Sequence, residues 1–233
     1  MLKIYSFPSP NCHKVAIMLE ECGIPYKSCQ VDILKGEQFA PEFLAISPNN
    51  KVPALVDDEG SGVPVAIFES GAILEYLAVK SGRFLPEDKV WEIKAWLHWQ
   101  VGGLGPMAGQ AHHFRKFAPE KIPYAIKRYT DEVNRLYGVL DKRLKGRDFI
   151  VDEISIADFA CWPWTRHHEW QGQTLSDFPD LKRWFEAIGE RVAVKRAIAL
   201  EAEKMAPKEA YSILYGQKAD TAERVQNEKG QSS

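Results

Sequence analysis

NKVPAL, residues 50–55, decides how the first third of the chain is read, because Pro53 interrupts an apolar run that otherwise looks like a sheet strand. Proline has no backbone N–H and deletes a ladder bond, so within sheets it is normally confined to an edge or to a strand's first residue. Two readings are open. Either a trans proline opens the strand, or the Val52–Pro53 bond is cis, a rare feature usually retained for a reason, and the strand start faces a ligand. Working outward, Leu2 to Phe7 is a plausible strand, after which Val15, Met18, Leu19 and Cys22 recur at helical spacing and Gly23 closes the helix. A second strand is expected near Tyr26 to Ile33, then a short helical piece containing Phe39, Phe43 and Leu44. Strands over Val52 to Val56 and Val63 to Phe68 flank the turn-rich DDEGSG, a hairpin signal. Ser70, Ile73, Leu74 and Leu77 then start a helix that stops near Gly82. The order βαβ then ββα describes a small mixed sheet with helices on its faces.

Beyond the linker-like RFLPED, Arg83 to Asp88, strand signals nearly vanish. Trp91, Ala95, Leu97 and Trp99 share one helix, and GGLGPMAG must kink or break it. Ile126, Tyr129, Val133, Leu136, Tyr137, Leu140 and Leu144 form a long amphipathic stripe. SIAD, Ser155 to Asp158, reads as a capping-box variant heading another helix. The expected organisation is a mixed α/β domain over 1–82, an all-helical domain over 89–205 and a polar tail over 206–233.

Bulk composition narrows the function. A chain of 233 residues, 45% hydrophobic and 27% charged, can bury one generous core or two small ones. A net charge of -2 argues against nucleic acid or an anionic membrane surface as partner. The opening MLKIYSFPSP lacks the basic start and apolar core of a signal peptide, and no stretch approaches the roughly 20 apolar residues of a membrane span. A cytosolic protein is expected. Cys12, Cys22, Cys29 and Cys161 form no CxxC pair or zinc spacing, which points to reduced thiols. The pairs His112-His113 and His167-His168 point to different sides of a helix, so no metal is assigned.

SPN at the first helix, ISPNNKVPAL, FESGAILEYL, WQVGGLGPM and IPYAIKRY together resemble the Nu class of bacterial glutathione transferases, over roughly residues 1 to 200. The resemblance implies a thioredoxin-like first domain, a helical second domain, a homodimer, and a site in the cleft between domains that takes glutathione as co-substrate. Members of that class resemble glutathione-dependent disulfide-bond reductases.

Glutathione offers an ammonium and a carboxylate at its γ-glutamyl end, a central thiol and a glycyl carboxylate, so a site needs an acid, several donors and something for sulfur. Glu69 is the candidate for the ammonium, and the Ser70 hydroxyl and amide, at a helix N-terminus, for the α-carboxylate. Helix capping alone would also explain both residues. Val52 and Pro53 are candidates for a strand-like grip on the cysteinyl backbone. Gln38, Asn50 and Lys51 are candidates for the glycyl carboxylate, with a solvated lysine the alternative for Lys51.

A free thiol has a pKa of about 8.5, and thiolate is the attacking species, so the sulfur must be stabilised as an anion. Ser9 and Asn11, bracketing Pro10 at the start of the first helix, are the catalytic candidates; Tyr5, inside the first strand, reads as a sheet aromatic. SPNC, Ser9 to Cys12, has the shape of a CPxC redox motif with its first cysteine replaced by serine, so a guest thiol would be the nucleophile. Cys12 reads as a buried inert thiol, with resolution of a mixed disulfide as the alternative. The family pattern suggests that Arg128 reaches the neighbouring subunit's glutathione site; a surface ion pair with Asp131 or Glu132 is the alternative. Thiol-disulfide exchange with a small disulfide is the leading expectation. Conjugation of glutathione to an apolar electrophile, and a glutathione-binding module without turnover, are the alternatives.

Overall fold

The computed structural model describes residues 1–59 and 62–202. Strands β1 (Leu2–Ser6), β2 (Tyr26–Gln30), β3 (Ala54–Asp57) and β4 (Val65–Phe68) form one sheet in the order β2-β1-β3-β4. β1 is parallel to β2 and antiparallel to β3, and β3 is antiparallel to β4. A parallel pair needs a long crossover, which α1 (Pro10–Cys22) supplies. Ser9 caps α1 with an extended backbone, its hydroxyl accepting from the Cys12 amide at 3.3 Å, and Pro10 takes the first helical position, where an N–H would have no partner. Gly23 ends α1 and Gly82 ends α3 (Ser70–Ser81), at φ 65° and 66°, in the left-handed region where glycine is strain-free. A short helix α2 (Pro41–Leu44) precedes the loop that carries Pro53.

Strand limits differ from expectation for identifiable reasons. β3 begins at Ala54 and β4 at Val65, each directly after a proline that has no N–H for the ladder. β2 ends at Gln30, yet Val31 and Ile33 remain buried in a small cluster with Phe7, Phe43 and Ala54, so the apolar spacing outlasts the ladder. Of the turn in DDEGSG, Gly60 and Ser61 lie outside the described residues, as does the tail beyond 202.

The helices α4 (Val90–Trp99), α5 (Gly105–His112), α6 (Pro123–Leu144), α7 (Ile156–Thr165), α8 (Pro179–Gly189) and α9 (Val192–Ala202) follow. GGLGPM kinks the chain without breaking it: a π-helical turn over Gln100–Leu104 joins α4 to α5, and the Gly105 N–H reaches back to the Gln100 carbonyl. α7 starts with the anticipated capping box, and Asp158 does more than cap. Fully buried, it accepts from the Ile150 amide (3.0 Å), the Trp184 indole (2.8 Å), the Ser155 amide (2.9 Å) and the Ser155 hydroxyl (3.1 Å). One apolar core runs from Leu2, Ile4 and Leu55 of the sheet through α1 and α3 to Trp184 and Tyr137 in the helical part. α1 lies against α3, α7 and α9, so its residues from Cys12 to Leu19 are all buried.

Candidate functional site

The head of α1 carries the two catalytic candidates. The Trp164 indole of α7 donates to Asn11 Oδ1 at 3.0 Å. An indole N–H can only donate, so this bond fixes which way the Asn11 amide faces: its oxygen is occupied and its two N–H donors are left for another partner. The Ser9 hydroxyl accepts from the Cys12 amide, which leaves its proton available to donate. Cys12 itself is 1% exposed, a buried thiol as expected. Tyr5 pairs across the sheet with Cys29 and Ala54, and its ring lies against Phe43.

The loop before β3 is held from inside. Buried Ser47 donates its hydroxyl to the Lys51 carbonyl at 2.8 Å, and its own carbonyl accepts from the Asn50 amide, which lies at a left-handed φ of 49°. The Val52–Pro53 bond is cis. Val52 lies outside the β3 ladder, and among the described residues no other group takes its amide or carbonyl. Lys51 is exposed; Gln38, in a 3-10 turn over Glu37–Phe39, is half-buried with its Oε1 enclosed and unpartnered.

At the head of α3 the structure separates two roles that capping would have merged. Glu69 occupies the cap position at φ 73°, exposed and making no side-chain cap bond, and Ser70 is the first helical residue, 7% exposed. The Ser70 hydroxyl accepts from Lys14 Nζ at 3.2 Å, and Lys14 also donates to Gln100 Oε1 at 2.5 Å. Sequence reasoning missed Lys14, because a helix buried all round has no polar stripe against which an inward lysine stands out.

Arg128 is exposed on α6, and no hydrogen bond or ion pair among the described residues joins it to the other candidates. Asp131 and Glu132 form ion pairs with Lys127 and Arg135, and the Glu132 pKa is lowered first by the Arg135 hydrogen bond and further by nearby charge, that of Arg128 included. One histidine of each pair belongs to an aromatic group around Trp164: His112 stacks on that indole at 5.9 Å between centroids and meets His167 and Trp170 edge-on, while His113 and His168 lie against Phe114 and Phe185. Burial lowers the pKa of His112 to about 3 and of His167 to about 4, so both rings are neutral. Among the described residues no three His, Cys, Asp or Glu side chains come together to hold a metal, and no helix is long and apolar enough to cross a membrane.

Residues 8–80 match the family model for the glutathione S-transferase N-terminal domain, and residues 104–191 that for the C-terminal domain. The disulfide-bond oxidoreductase YfcG of Escherichia coli (strain K12) is 50% identical over 203 residues, which span 85% of this chain and 94% of that protein. The disulfide-bond oxidoreductase YghU of the same organism is 43% identical, over 84% of this chain and 73% of that protein. Among solved structures, a glutathione transferase family member from Pseudomonas fluorescens pf-5 with two glutathione bound shares 45% identity at a TM-score of 0.80, covering 84% of this chain and 92% of that one. A glutathione transferase from Pseudomonas putida with one glutathione disulfide bound per subunit shares 42% at a TM-score of 0.81, over 84% and 90%. With its thioredoxin-like sheet domain followed by a helical one, the chain belongs to the glutathione S-transferase family.

Proposed function

We propose that the protein is a glutathione-dependent disulfide-bond reductase in which bound glutathione supplies the thiolate. The observation that carries the reading is the Trp164–Asn11 bond, since it leaves two amide donors at the positive end of α1 beside Ser9, where an anionic sulfur would be stabilised. The buried Cys12 supports a guest nucleophile over one of the protein's own. Glutathione, deprotonated at sulfur, attacks one sulfur of a small disulfide; a glutathionyl mixed disulfide forms and the other half leaves as a thiolate that takes up the released proton. A second glutathione thiolate then attacks the mixed disulfide, giving glutathione disulfide and the second thiol, so two glutathiones are oxidised for each disulfide reduced.

The rest of the tripeptide is assigned by chemistry. Val52, with its backbone outside the ladder and Pro53 fixing the loop, grips the cysteinyl backbone; Glu69 takes the ammonium, Ser70 the γ-glutamyl carboxylate, and Gln38, Asn50 and Lys51 the glycyl carboxylate. Residues 1–82 are assigned to the glutathione-binding domain and 89–205 to the helical one, of which 60–61 and 203–205 lie outside the described residues. A homodimer is supported by the exposed apolar side chains Val63, Val65 and Phe68 at the edge strand β4 and Trp91 on α4. Arg128, which makes no hydrogen bond or short ion pair to an acid among the described residues, would reach the neighbouring subunit's ligand. The lack of any disulfide among the described cysteines suits a reducing cytosol.

Side-by-side assays with 2-hydroxyethyl disulfide and a halonitrobenzene test the proposal. Turnover of the disulfide well above the halonitrobenzene supports it. The reverse ranking identifies a conjugating transferase, for which the aromatic group around Trp164 would wall an apolar acceptor site, and turnover of neither identifies a binding module.

A further inference from the structure

Lys14 is 2% exposed, and among the described residues its ammonium has only neutral hydrogen-bond partners, Ser70 Oγ at 3.2 Å and Gln100 Oε1 at 2.5 Å. Burying an ammonium without a carboxylate is costly, so the arrangement calls for a purpose. Gln100 is shaped to it: fully buried on the π-helical turn, it turns its oxygen to Lys14 and leaves its amide nitrogen unpartnered. A Cβ on Gly105 would lie 2.8 Å from that nitrogen, so glycine is what leaves it room.

An ammonium has three donors and no acceptor. Ser70 Oγ must accept from it, and the Ser70 proton is therefore directed elsewhere, toward a group at the head of α3. A neutral Lys14 would instead accept that proton and draw the hydroxyl inward. We propose that Lys14 is a positioning residue for the anionic end of the bound tripeptide: its buried charge makes Ser70 a donor to the ligand's α-carboxylate, and ligand binding is coupled to proton uptake at Lys14. The inference rests on the reading of Ser70 as the carboxylate's contact.

Burial lowers the Lys14 pKa to about 7 against the opposing influence of Cys161 on α7, Glu69 at the head of α3 and Cys12 on its own helix. Other charged groups on or beside the neighbouring helices are engaged elsewhere: Glu75 and Lys80 of α3 by Lys94 and Asp57, Asp158 of α7 by its four donors, Arg191 just before α9 by Glu21, and Lys195 and Arg196 of α9 by Glu190 and Glu20. An anion beyond Ser70 favours the charged lysine and raises its pKa.

The probe is S-methylglutathione, which has no thiol to ionise, titrated calorimetrically in two buffers of different ionisation enthalpy. With a free-state pKa of about 7 and a bound-state value well above it, linkage gives uptake of about half a proton per site at pH 7 and an affinity about tenfold weaker at pH 8 than at pH 6. Lys14→Met is expected to abolish both, to bind roughly tenfold more weakly at pH 6, and to melt no lower than the wild type. An absence of proton uptake in the wild type, or the same uptake and slope in Lys14→Met, overturns the proposal and leaves the tripeptide site standing. If the variant fails to fold, the wild-type proton balance decides alone. No binding of S-methylglutathione at any of these pH values sinks the site assignment and this proposal with it.

Discussion

Asn11→Ala and Asn11→Asp divide the work of one side chain. The alanine removes both the acceptor for the Trp164 indole and the donors assigned to sulfur, whereas the aspartate keeps the acceptor and replaces the donors with negative charge. A hydrogen bond to a charged group contributes about 1.5–3 kcal/mol, and one pKa unit corresponds to about 1.4 kcal/mol. Losing the Asn11 donor should therefore raise the bound thiol's pKa by about one to two units. Each unit cuts the thiolate population about tenfold at low pH, but the more basic thiolate is the better nucleophile, with a Brønsted slope of about 0.4–0.5 that restores about threefold. The net loss is then about three- to fourfold per unit at pH values below the thiol pKa. Above it, where both enzymes hold thiolate, Asn11→Ala should overtake the wild type. The pH profile of kcat for 2-hydroxyethyl disulfide reads this directly: the limbs cross, and Asn11→Asp is displaced further to high pH than Asn11→Ala. Trp164→Phe, which keeps an aromatic ring and drops the N–H, should show part of the shift by letting the amide turn over. A uniform drop at every pH would refute the reasoning, since it would make Asn11 a packing residue and not a sulfur donor.

Cys12→Ser should keep disulfide turnover within about twofold of the wild type, because a buried thiol with no part in the exchange contributes nothing to it; loss of turnover in a folded variant would make Cys12 the resolving thiol. Asp158→Ala strands four donors in the core and should destabilise the fold on the order of 3 kcal/mol, read from urea denaturation. Burial acts to raise the Asp57 pKa, but hydrogen bonds from Lys80, Tyr76 and the Glu59 amide outweigh it and hold the value to about 2. A depressed folded-state pKa gives stability that is present above the unfolded value near 4 and is lost as pH falls through about 2, so Asp57→Asn should flatten the acid limb of a pH–stability curve over that window.

Local chemistry made much of the fold readable. Gly23 and Gly82 mark helix ends because only a left-handed residue completes those caps, and Ser155 with Asp158 announces α7 through reciprocal bonds three residues apart. Strand limits were less legible. Val31 and Ile33 keep the apolar spacing of a strand because they serve a second small core, and a pattern of burial does not say which hydrogen bonds accompany it. In the site, the residues that head helices or precede β3 could be picked out singly from their chemistry. What was hidden is how they are held: Trp164 stands 153 residues from the asparagine it orients, and Lys14 reaches Ser70 and Gln100 over separations of 56 and 86. Only tertiary packing creates such pairs. The π-helical turn is a further case, since Gly102, Gly103, Gly105 and Pro106 predict a disturbance in the helix but not that it would place Gln100 over a buried ammonium.

The most direct test of a host-stabilised guest thiolate is a spectroscopic titration of glutathione's sulfur on the wild-type enzyme, followed by the ultraviolet absorbance of the thiolate. A midpoint about one unit or more below the free value of about 8.5 is the predicted result; a midpoint equal to that of glutathione in solution would contradict the account.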